Sequence, residues 1–405
     1  MMDLVVPDTL TRSPRTVRAR RGRPVTLYVC GPTVYDRAHV GHARTYLYFD
    51  LARRFLEAEG ARVRHVMNFT DIEDKIDVRA AQLGIGWREL TVREERAFVR
   101  DLRSLAARRP HVLPRASQFV PQMAAVARAL ARTGRVERVG DEWYYTPPKR
   151  REGTNFATDR QLAAHAVHEP GHPFPTHGDQ AGTFMIWRLQ KPPKPSWPGP
   201  WGPGIPGWHL ECFVMAERFL GTPVDLHGGG LDLVFPHHYA ENEVALALRR
   251  HRIARVFLHT AFVLVGGDKM SKSTGNLVSL RSVLDRVEQS ALRWYLLSKP
   301  FDRRLNWSAN DLERARREFE RVRTAVRRFV GSGAGMGRAA TAETLSEGVR
   351  RDLARGLAAE RAFARLRAFA DRVGRGPRSR VAPSERSAAR AAFRAIEART
   401  GLVLL

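Results

Sequence analysis

Three groups of side chains in this sequence are of types that do chemistry. The first is His39-Val40-Gly41-His42, two histidines one helical turn apart, following an apolar run over 25–29 and the break Cys30-Gly31-Pro32. Strand, glycine turn and polar residues at a helix start are where an α/β protein holds a phosphate, because free backbone N–H groups and the helix dipole both favour an anion. Read alone, the same residues also describe a plain strand-to-helix joint with two solvent-facing histidines. The second group is Lys269 and Lys272, in a loop that follows Gly266-Gly267. Such a loop can close and bring two cations to a triphosphate, or it is an ordinary exposed basic loop. The third is Cys30, Cys212, His237 and Glu241. His237 and Glu241 stand four apart at the start of a predicted helix and so face one way. With Cys30 from a strand end and Cys212 from a helix start they form a Cys₂-His-Glu set suited to tetrahedral Zn²⁺. Spacing alone leaves this open, since scattered ligands make no compact motif and helical His/Glu pairs are commonly surface groups. His238 is the competing ligand, read as supporting rather than ligating.

The elements that must position these groups follow from periodicity. Residues 25–29 and 62–69 read as strands flanking a helix that runs from His39 to Leu56, a βαβ unit and hence a parallel sheet. Two helical patterns over 91–108 and 117–132, a short strand at 142–145 and a polar His/Pro stretch to about 182 read as an insertion. The sheet resumes near 184–187. Then come a helix bearing Glu211 and Cys212, a strand at 224–227 ending in Gly228-Gly229-Gly230, a helix opened by Pro236, and a strand over 256–264. From 280 onward the pattern is helical, with Leu312, Ala315, Phe319, Val322, Val326 and Phe329 on one face. Two last helices, about 342–373 and 384–400, follow a glycine-rich break. Residues 1–24 read as a loose or strand-bearing arm.

At 405 residues, 43% hydrophobic and 9% aromatic, the chain is globular and long enough for two or three domains. No apolar run has the length of a membrane span, and the N-terminus lacks the hydrophobic stretch of a signal peptide, so the expected location is the cytoplasm. The net charge of +26 points to a polyanionic partner, nucleic acid first. The excess is mostly arginine spread along the whole chain, as a biased coding composition also produces. Two cysteines far apart in such a chain are core thiols or metal ligands more often than a disulfide.

The motifs together resemble a family. His39-Val40-Gly41-His42 is similar to the "HIGH" element of class I aminoacyl-tRNA synthetases, and Lys269-Met270-Ser271-Lys272-Ser273 matches their "KMSKS" loop letter for letter. YVCGPTVYD (28–36), NFTDIEDKI (68–76), the PSWPGPWG-to-PGWHLEC stretch (195–212), HGGG-LDL-FPHH (227–238) and LNWS (305–308) resemble the cysteinyl-tRNA synthetases in particular. The likeness covers roughly 25–330. It implies an α/β class I synthetase fold, a Rossmann-like parallel sheet with a connective insertion followed by an all-α region. The implied division is 1–90 and 183–265 for the two catalytic halves, 91–182 for the insertion, 266–330 for the KMSKS loop and stem helices, and 331–405 for a C-terminal helical region. It also implies a chain shortened by the small anticodon-binding domain.

The resemblance assigns the zinc ligands to Cys30, Cys212, His237 and Glu241, one ion per chain. It places catalysis on His39, His42, Lys269 and Lys272, and nucleotide contacts on Gly41, Lys272, Gly228, Gly229, Gly230 and Asp232. The amino-acid pocket falls on Gly31, Thr70 and Trp208. The implied substrates are L-cysteine, ATP with Mg²⁺, and tRNA(Cys) held chiefly by its acceptor arm, with the protein a monomer away from membranes. Two other expectations stand beside this one. The chain also resembles, in length and in both signature elements, the truncated relative that joins cysteine to glucosaminyl-inositol in mycothiol synthesis, although that ligase lacks the Glu at the position of Glu241. A non-catalytic RNA-binding paralogue is the third, with little reason to keep His39, His42, Lys269 and Lys272 together.

Overall fold

The computed structural model describes residues 2–148, 182–192, 194–270, 275–331, 338–375 and 383–405. At its centre lies a four-stranded parallel sheet. The arm before it is a two-stranded hairpin, β1 (Leu4–Pro7) with β2 (Pro14–Val17). Strand β3 (Val25–Val29) leads through helix α1 (Val40–Ala58) to β4 (Val63–Met67), the predicted βαβ unit. Helices α2 (Asp74–Gln82), α3 (Trp87–Ser104) and α4 (Val120–Ala131) follow. Strands β5 (Val136–Val139), β6 (Glu142–Tyr145), β7 (Phe184–Leu189) and β8 (Gly204–Pro206) then form a separate antiparallel sheet in sequential order. Helix α5 (Trp208–Leu220) returns the chain to the central sheet at β9 (Val224–Gly230), and α6 (Tyr239–Arg249) connects to β10 (Ala254–Thr260). The spatial order is β10-β9-β3-β4, all parallel.

A parallel sheet covered on both faces has apolar residues on both sides of every strand, and β3 shows it. Val25, Leu27 and Val29 enter one core with α1 and the C-terminal helices. Tyr28 and Cys30 enter the other with α4, α5 and α6. The period of two thus sends Cys30 to the face on which Cys212 and the residues around His237 lie.

The sequence reading departs from the structure at several places. The segment at 184–187, expected to resume the central sheet, is β7, which pairs antiparallel with β6 and β8 and so extends the separate sheet past residue 182. The predicted strand over 256–264 is two strands, β10 and β11 (Val263–Val265). The chain leaves the ladder at Ala261, whose N–H donates to Phe301 O at 2.7 Å and whose carbonyl accepts from Arg44 at 2.8 Å. β11 instead pairs with β12 (Asp268–Lys269) and β13 (Leu305–Trp307), the latter lying inside the span expected to be helical. The helix expected from Pro236 starts at Tyr239. Val234–His238 is a separate turn because Phe235 takes extended backbone angles of −138° and 136°. The final pair of helices is three, α9 (Ala309–Gly331) being followed by α10 (Arg338–Ala354), α11 (Ala359–Arg375) and α12 (Pro383–Thr400). The break falls where Gly356 and Leu357 take positive φ and the Gly356 N–H is captured by Val5 O at 2.7 Å.

Two buried charge clusters lock this helical region to α1 and the central sheet. Arg293, on α8 (Gln289–Leu296), which follows the short helix α7 (Leu280–Leu284), donates to Asp50 Oδ2 at 2.6 Å and to Thr400 O at 2.8 Å. Glu59, just past α1, receives Arg350 at 2.7 Å, Arg399 at 3.1 Å and the Met2 N–H at 3.0 Å.

Candidate active site at the switch point of the sheet

From β3 the chain departs toward β4, and from β9 it departs the other way toward β10. The strand order therefore reverses between β3 and β9. Such a switch point opens a crevice beyond the carboxyl ends of the strands, where open α/β sheets bind ligands. At those ends lie Cys30-Gly31 from β3, Gly228–Gly230 from β9, the N-terminus of α1, and the turn before α6.

The α1 terminus is capped by its own histidines. His39 Nδ1 accepts the Gly41 N–H at 3.1 Å, and His42 Nδ1 accepts the His39 N–H at 3.4 Å. Each ring thereby has its Nδ1 committed as an acceptor, so the proton of the neutral form sits on Nε2 and is free to donate outward. The rings stack at 3.9 Å. Burial, the neighbouring His42 and Lys269 together lower the His39 pKa to about 3, and burial lowers that of His42 to about 4. At neutral pH both are uncharged N–H donors, so the positive charge at this terminus comes from the helix end and from Lys269.

The predicted loop meets this helix start. Met270 is buried and its Cε would lie 3.1 Å from a Cβ placed on Gly41. Beyond 271–274 the chain returns through Val278 O, which accepts the Val40 N–H at 3.1 Å, and the Leu280 N–H, which donates to Ala38 O at 2.9 Å. Lys269 Nζ lies 3.8 Å from Asp232 Oδ2 and 4.4 Å above the Phe262 ring. Lys272 falls outside the described residues. Asp232 and the three glycines thus stand on the β9 side of the same crevice.

On the far side of Cys30 the four expected donors converge. Cys30 Sγ is 3.4 Å from Cys212 Sγ and 3.7 Å from Glu241 Oε1. His237 Nε2 is 3.4 Å from Cys212 Sγ and 2.9 Å from Glu241 Oε1. All four ligand atoms lie within 4.8 Å of one another. Around a tetrahedral Zn²⁺ with bonds of about 2.0–2.3 Å the donors stand roughly 3.3–3.8 Å apart, so the set fits that ion. A second grouping, Cys30, His227, His238 and Glu241, satisfies the same criterion. In it His227 Nε2 is bonded to Glu241 Oε2 at 2.8 Å, and His238 Nδ1 to His259 Nε2 at 2.6 Å. Those two rings buttress the ligands, an arrangement that orients metal-binding side chains.

The charge states of the cluster point the same way. Burial pushes the Cys212 thiol up, but the hydrogen bond from Cys30 and the adjacent His237 bring it to about 6. Burial would likewise favour neutral forms of His237 and Glu241. Glu241 and Cys212 nevertheless raise His237 to about 10, while His227 and His237 hold the Glu241 carboxyl well below its usual range. A thiolate and a carboxylate buried together require a cation. Protonated His237 supplies that charge in this arrangement, and a divalent ion would supply it better.

Gly31, Thr70 and Trp208 border this cluster. The Gly31 N–H donates to Asn68 Oδ1 at 3.0 Å, and a Cβ on Gly31 would stand 1.6 Å from Asn68 O, so only glycine lets the chain pass. Thr70 Oγ1 donates to Glu211 Oε2 at 2.9 Å, while burial and the adjacent Cys212 push the Glu211 carboxyl well above its usual range. Trp208 stacks on His237 at 4.1 Å. The sequence alone assigns no role to Asn68, His227, His259 or Glu211. The first lies within NFTDIEDKI and the second opens HGGG, so the motifs contained them; His259 carried no signal beyond sitting at a strand end.

The sequence profile of the family "tRNA synthetases class I (C) catalytic domain" matches residues 16–317. The chain is similar to a cysteine–tRNA ligase of Thermococcus onnurineus, 39% identical over 79% of this chain and 67% of that protein. It is also similar to one of Anaeromyxobacter sp. strain K, 38% identical over 92% of this chain and 80% of that protein. It spans about two thirds of the length of the archaeal relatives. A structure of Mycobacterium tuberculosis methionyl-tRNA synthetase bound by methionyl-adenylate shares the fold, with a TM-score of 0.66 and 15% identity over 94% of this chain and 92% of that one. The chain belongs to the class I tRNA synthetases and, within them, to the cysteine–tRNA ligase family.

Proposed function

We propose that this protein activates L-cysteine with ATP and transfers the cysteinyl group to tRNA(Cys). The observation that carries the proposal is the meeting, at one strand end, of a Cys₂-His-Glu donor set with a histidine-capped helix terminus. The amino acid's thiol and the nucleotide's phosphates are then held on opposite sides of Cys30, with the carboxylate between them. In the first step that carboxylate attacks the α-phosphorus, the bond to the β,γ-diphosphate breaks, and pyrophosphate leaves. In the second, a ribose hydroxyl at the 3′ end of the tRNA attacks the mixed anhydride and AMP leaves. No protein nucleophile is needed, so the residues act by positioning and by stabilising charge.

His39 and His42 donate Nε2–H bonds to the phosphates. Lys269 and Lys272 supply the cations, with Met270 between them in sequence set against Gly41, and Mg²⁺ accompanies ATP. Gly228, Gly229, Gly230 and Asp232 border the nucleotide; Gly31, Thr70 and Trp208 border the amino acid. Cys30, Cys212, His237 and Glu241 would hold one zinc ion, which when bound binds a thiolate far better than a hydroxyl and so separates cysteine from serine, a distinction apolar contacts make poorly. The parallel sheet with α1 forms the catalytic body; the connective insertion over 91–182 is extended by β7 and β8, which share its sheet; α9 belongs to the stem helices, and α10–α12 form the helical C-terminal region. None of the described helices is long and apolar enough to cross a membrane; the protein acts as a cytoplasmic monomer. Cysteine-dependent ATP–pyrophosphate exchange, followed by presentation of tRNA or glucosaminyl-inositol as acceptor, tests this function. Exchange with charging of tRNA supports it, and acylation of the amino sugar alone overturns it.

A further inference from the structure

The excess positive charge runs along the whole chain, but one cleft gathers it beside the site. α3 lies across α1, with Phe98 edge-on to Tyr46 at 5.2 Å and to Phe69 at 5.7 Å. Asp101 anchors its far end 3.6 Å from Arg281 Nη1. These contacts bury one face of the helix. The other carries Arg88, Arg93, Arg96 and Arg100, all exposed, which with exposed Arg37 line a cleft of about 580 Å³. Arg37 stands two residues before His39, so the cleft opens next to the α1 terminus.

Arg37 and Arg93 share the buried carboxylate of Glu94, at 3.2 and 2.9 Å. Arg96 and Arg100 have no described carboxylate within ion-pair distance, and of the residues lining the cleft only Glu89 is acidic. From Arg88 to Arg100 the helix rises about 18 Å. A nucleic-acid strand carries one charge per roughly 3.4 Å of axis, so this row faces several phosphates. The guanidinium groups follow one another along a helix in an open cleft rather than converging on a point, a pattern that suits a linear polyanion better than a single small anion. Arginine also matches phosphate oxygens in a bidentate fashion.

We propose that this cleft docks the phosphodiester backbone of an RNA strand and guides its end toward His39. The proposal rests on the tRNA acceptor assigned above, but its test does not pass through aminoacylation. Unfractionated tRNA would be titrated against the full chain by fluorescence anisotropy at several salt concentrations between 50 and 200 mM. The variant Arg96→Glu/Arg100→Glu would be compared with Arg132→Glu/Arg135→Glu, which alters exposed arginines near the end of α4 by the same charge. Thermal midpoints within a few degrees of the parent establish that both fold. The expected result is about tenfold weaker binding for the α3 variant, with the slope of log K against log salt shallower by about two. The α4 variant should stay within about twofold. Unchanged binding by the α3 variant, or an equal loss in both, overturns the proposal and leaves the charge as a general property of the surface. Failure of the functional reading would show separately, as absence of cysteine-dependent exchange in the parent protein.

Discussion

Gly41→Ala should separate stability from activity in this protein. A Cβ at Gly41 would stand 2.9 Å from both Cε1 and Nδ1 of His39. Ordinary contact begins near 3.4 Å, so the ring must move by roughly half an ångström. It cannot move toward His42, whose ring already stacks on it at 3.9 Å. The available motion is a rotation that lengthens the 3.1 Å bond from the Gly41 N–H to Nδ1, and with it re-aims Nε2–H. Losing such a cap costs about 1 kcal/mol, while replacing glycine by alanine within a helix returns up to about 1 kcal/mol. Net stability should therefore change by less than ~1 kcal/mol, a shift in Tm of at most a few degrees. Catalysis has no such offset: an ångström of misplacement costs about 100-fold, so roughly 10- to 100-fold is expected here. The assay is cysteine-dependent ATP–pyrophosphate exchange at saturating cysteine, paired with thermal unfolding. Exchange within threefold of the parent would refute the reasoning, because His39 would then not be a donor whose aim matters.

Other perturbations follow from the same geometry. Arg293→Met removes the 2.6 Å partner of Asp50, whose carboxylate is only 2% exposed and retains Arg54 and the Arg108 N–H, each at 2.8 Å; it should cost about 3 kcal/mol, the low end for a broken buried pair, and lower Tm accordingly. His65 is buried, neither ring nitrogen has a hydrogen-bond partner among the described residues, and burial with nearby Arg53 and His111 lowers its pKa to about 3. Because the unfolded chain binds this proton near pH 6.5, the contribution of His65 to stability falls by ~1 kcal/mol per pH unit as pH drops below that value. His65→Leu should raise Tm at pH 5.5 by more than at pH 7.5, and an equal shift at both would contradict the assignment. Glu59 runs on the opposite logic of a lowered carboxyl. Burial opposes its ionisation, but Arg350, Arg399 and the Met2 N–H bring its pKa to about 2. The stabilisation is present above the unfolded value near 4.3 and lost as pH falls through about 2; Glu59→Gln should flatten the acid limb of the stability curve in that window.

Much of the site was legible because its residues lie at the ends of elements with clear periods. The alternation in β3 places Cys30 on the face where Cys212 arrives, and the strand-to-helix joint at 25–42 locates the helix terminus that His39 and His42 cap. What pattern could not reach were interactions between distant segments. The capture of Ala261 by Phe301 and Arg44 breaks a strand whose composition is continuous. The bond from Gly356 to Val5 ends a helix whose hydrophobic repeat would otherwise run on. The charge states were equally hidden, since a neutral His39 follows from its burial and the approach of Lys269, neither of which a one-dimensional pattern contains. His259 reaches His238, and through it the donor set, because β10 lies beside β9 in register.

In the proposed mechanism a metal held by Cys30, Cys212, His237 and Glu241 reads the sulfur of the amino acid. The direct measurement is the electronic spectrum of the Co²⁺-substituted protein, titrated with L-cysteine and then with L-serine in the absence of ATP. One Co²⁺ per chain should bind, with thiolate-to-cobalt intensity for two sulfurs. Cysteine should add the intensity of a further thiolate while serine leaves the spectrum unchanged. Stoichiometric Co²⁺ with a spectrum indifferent to cysteine, or no metal retained when all four residues are intact, would contradict it.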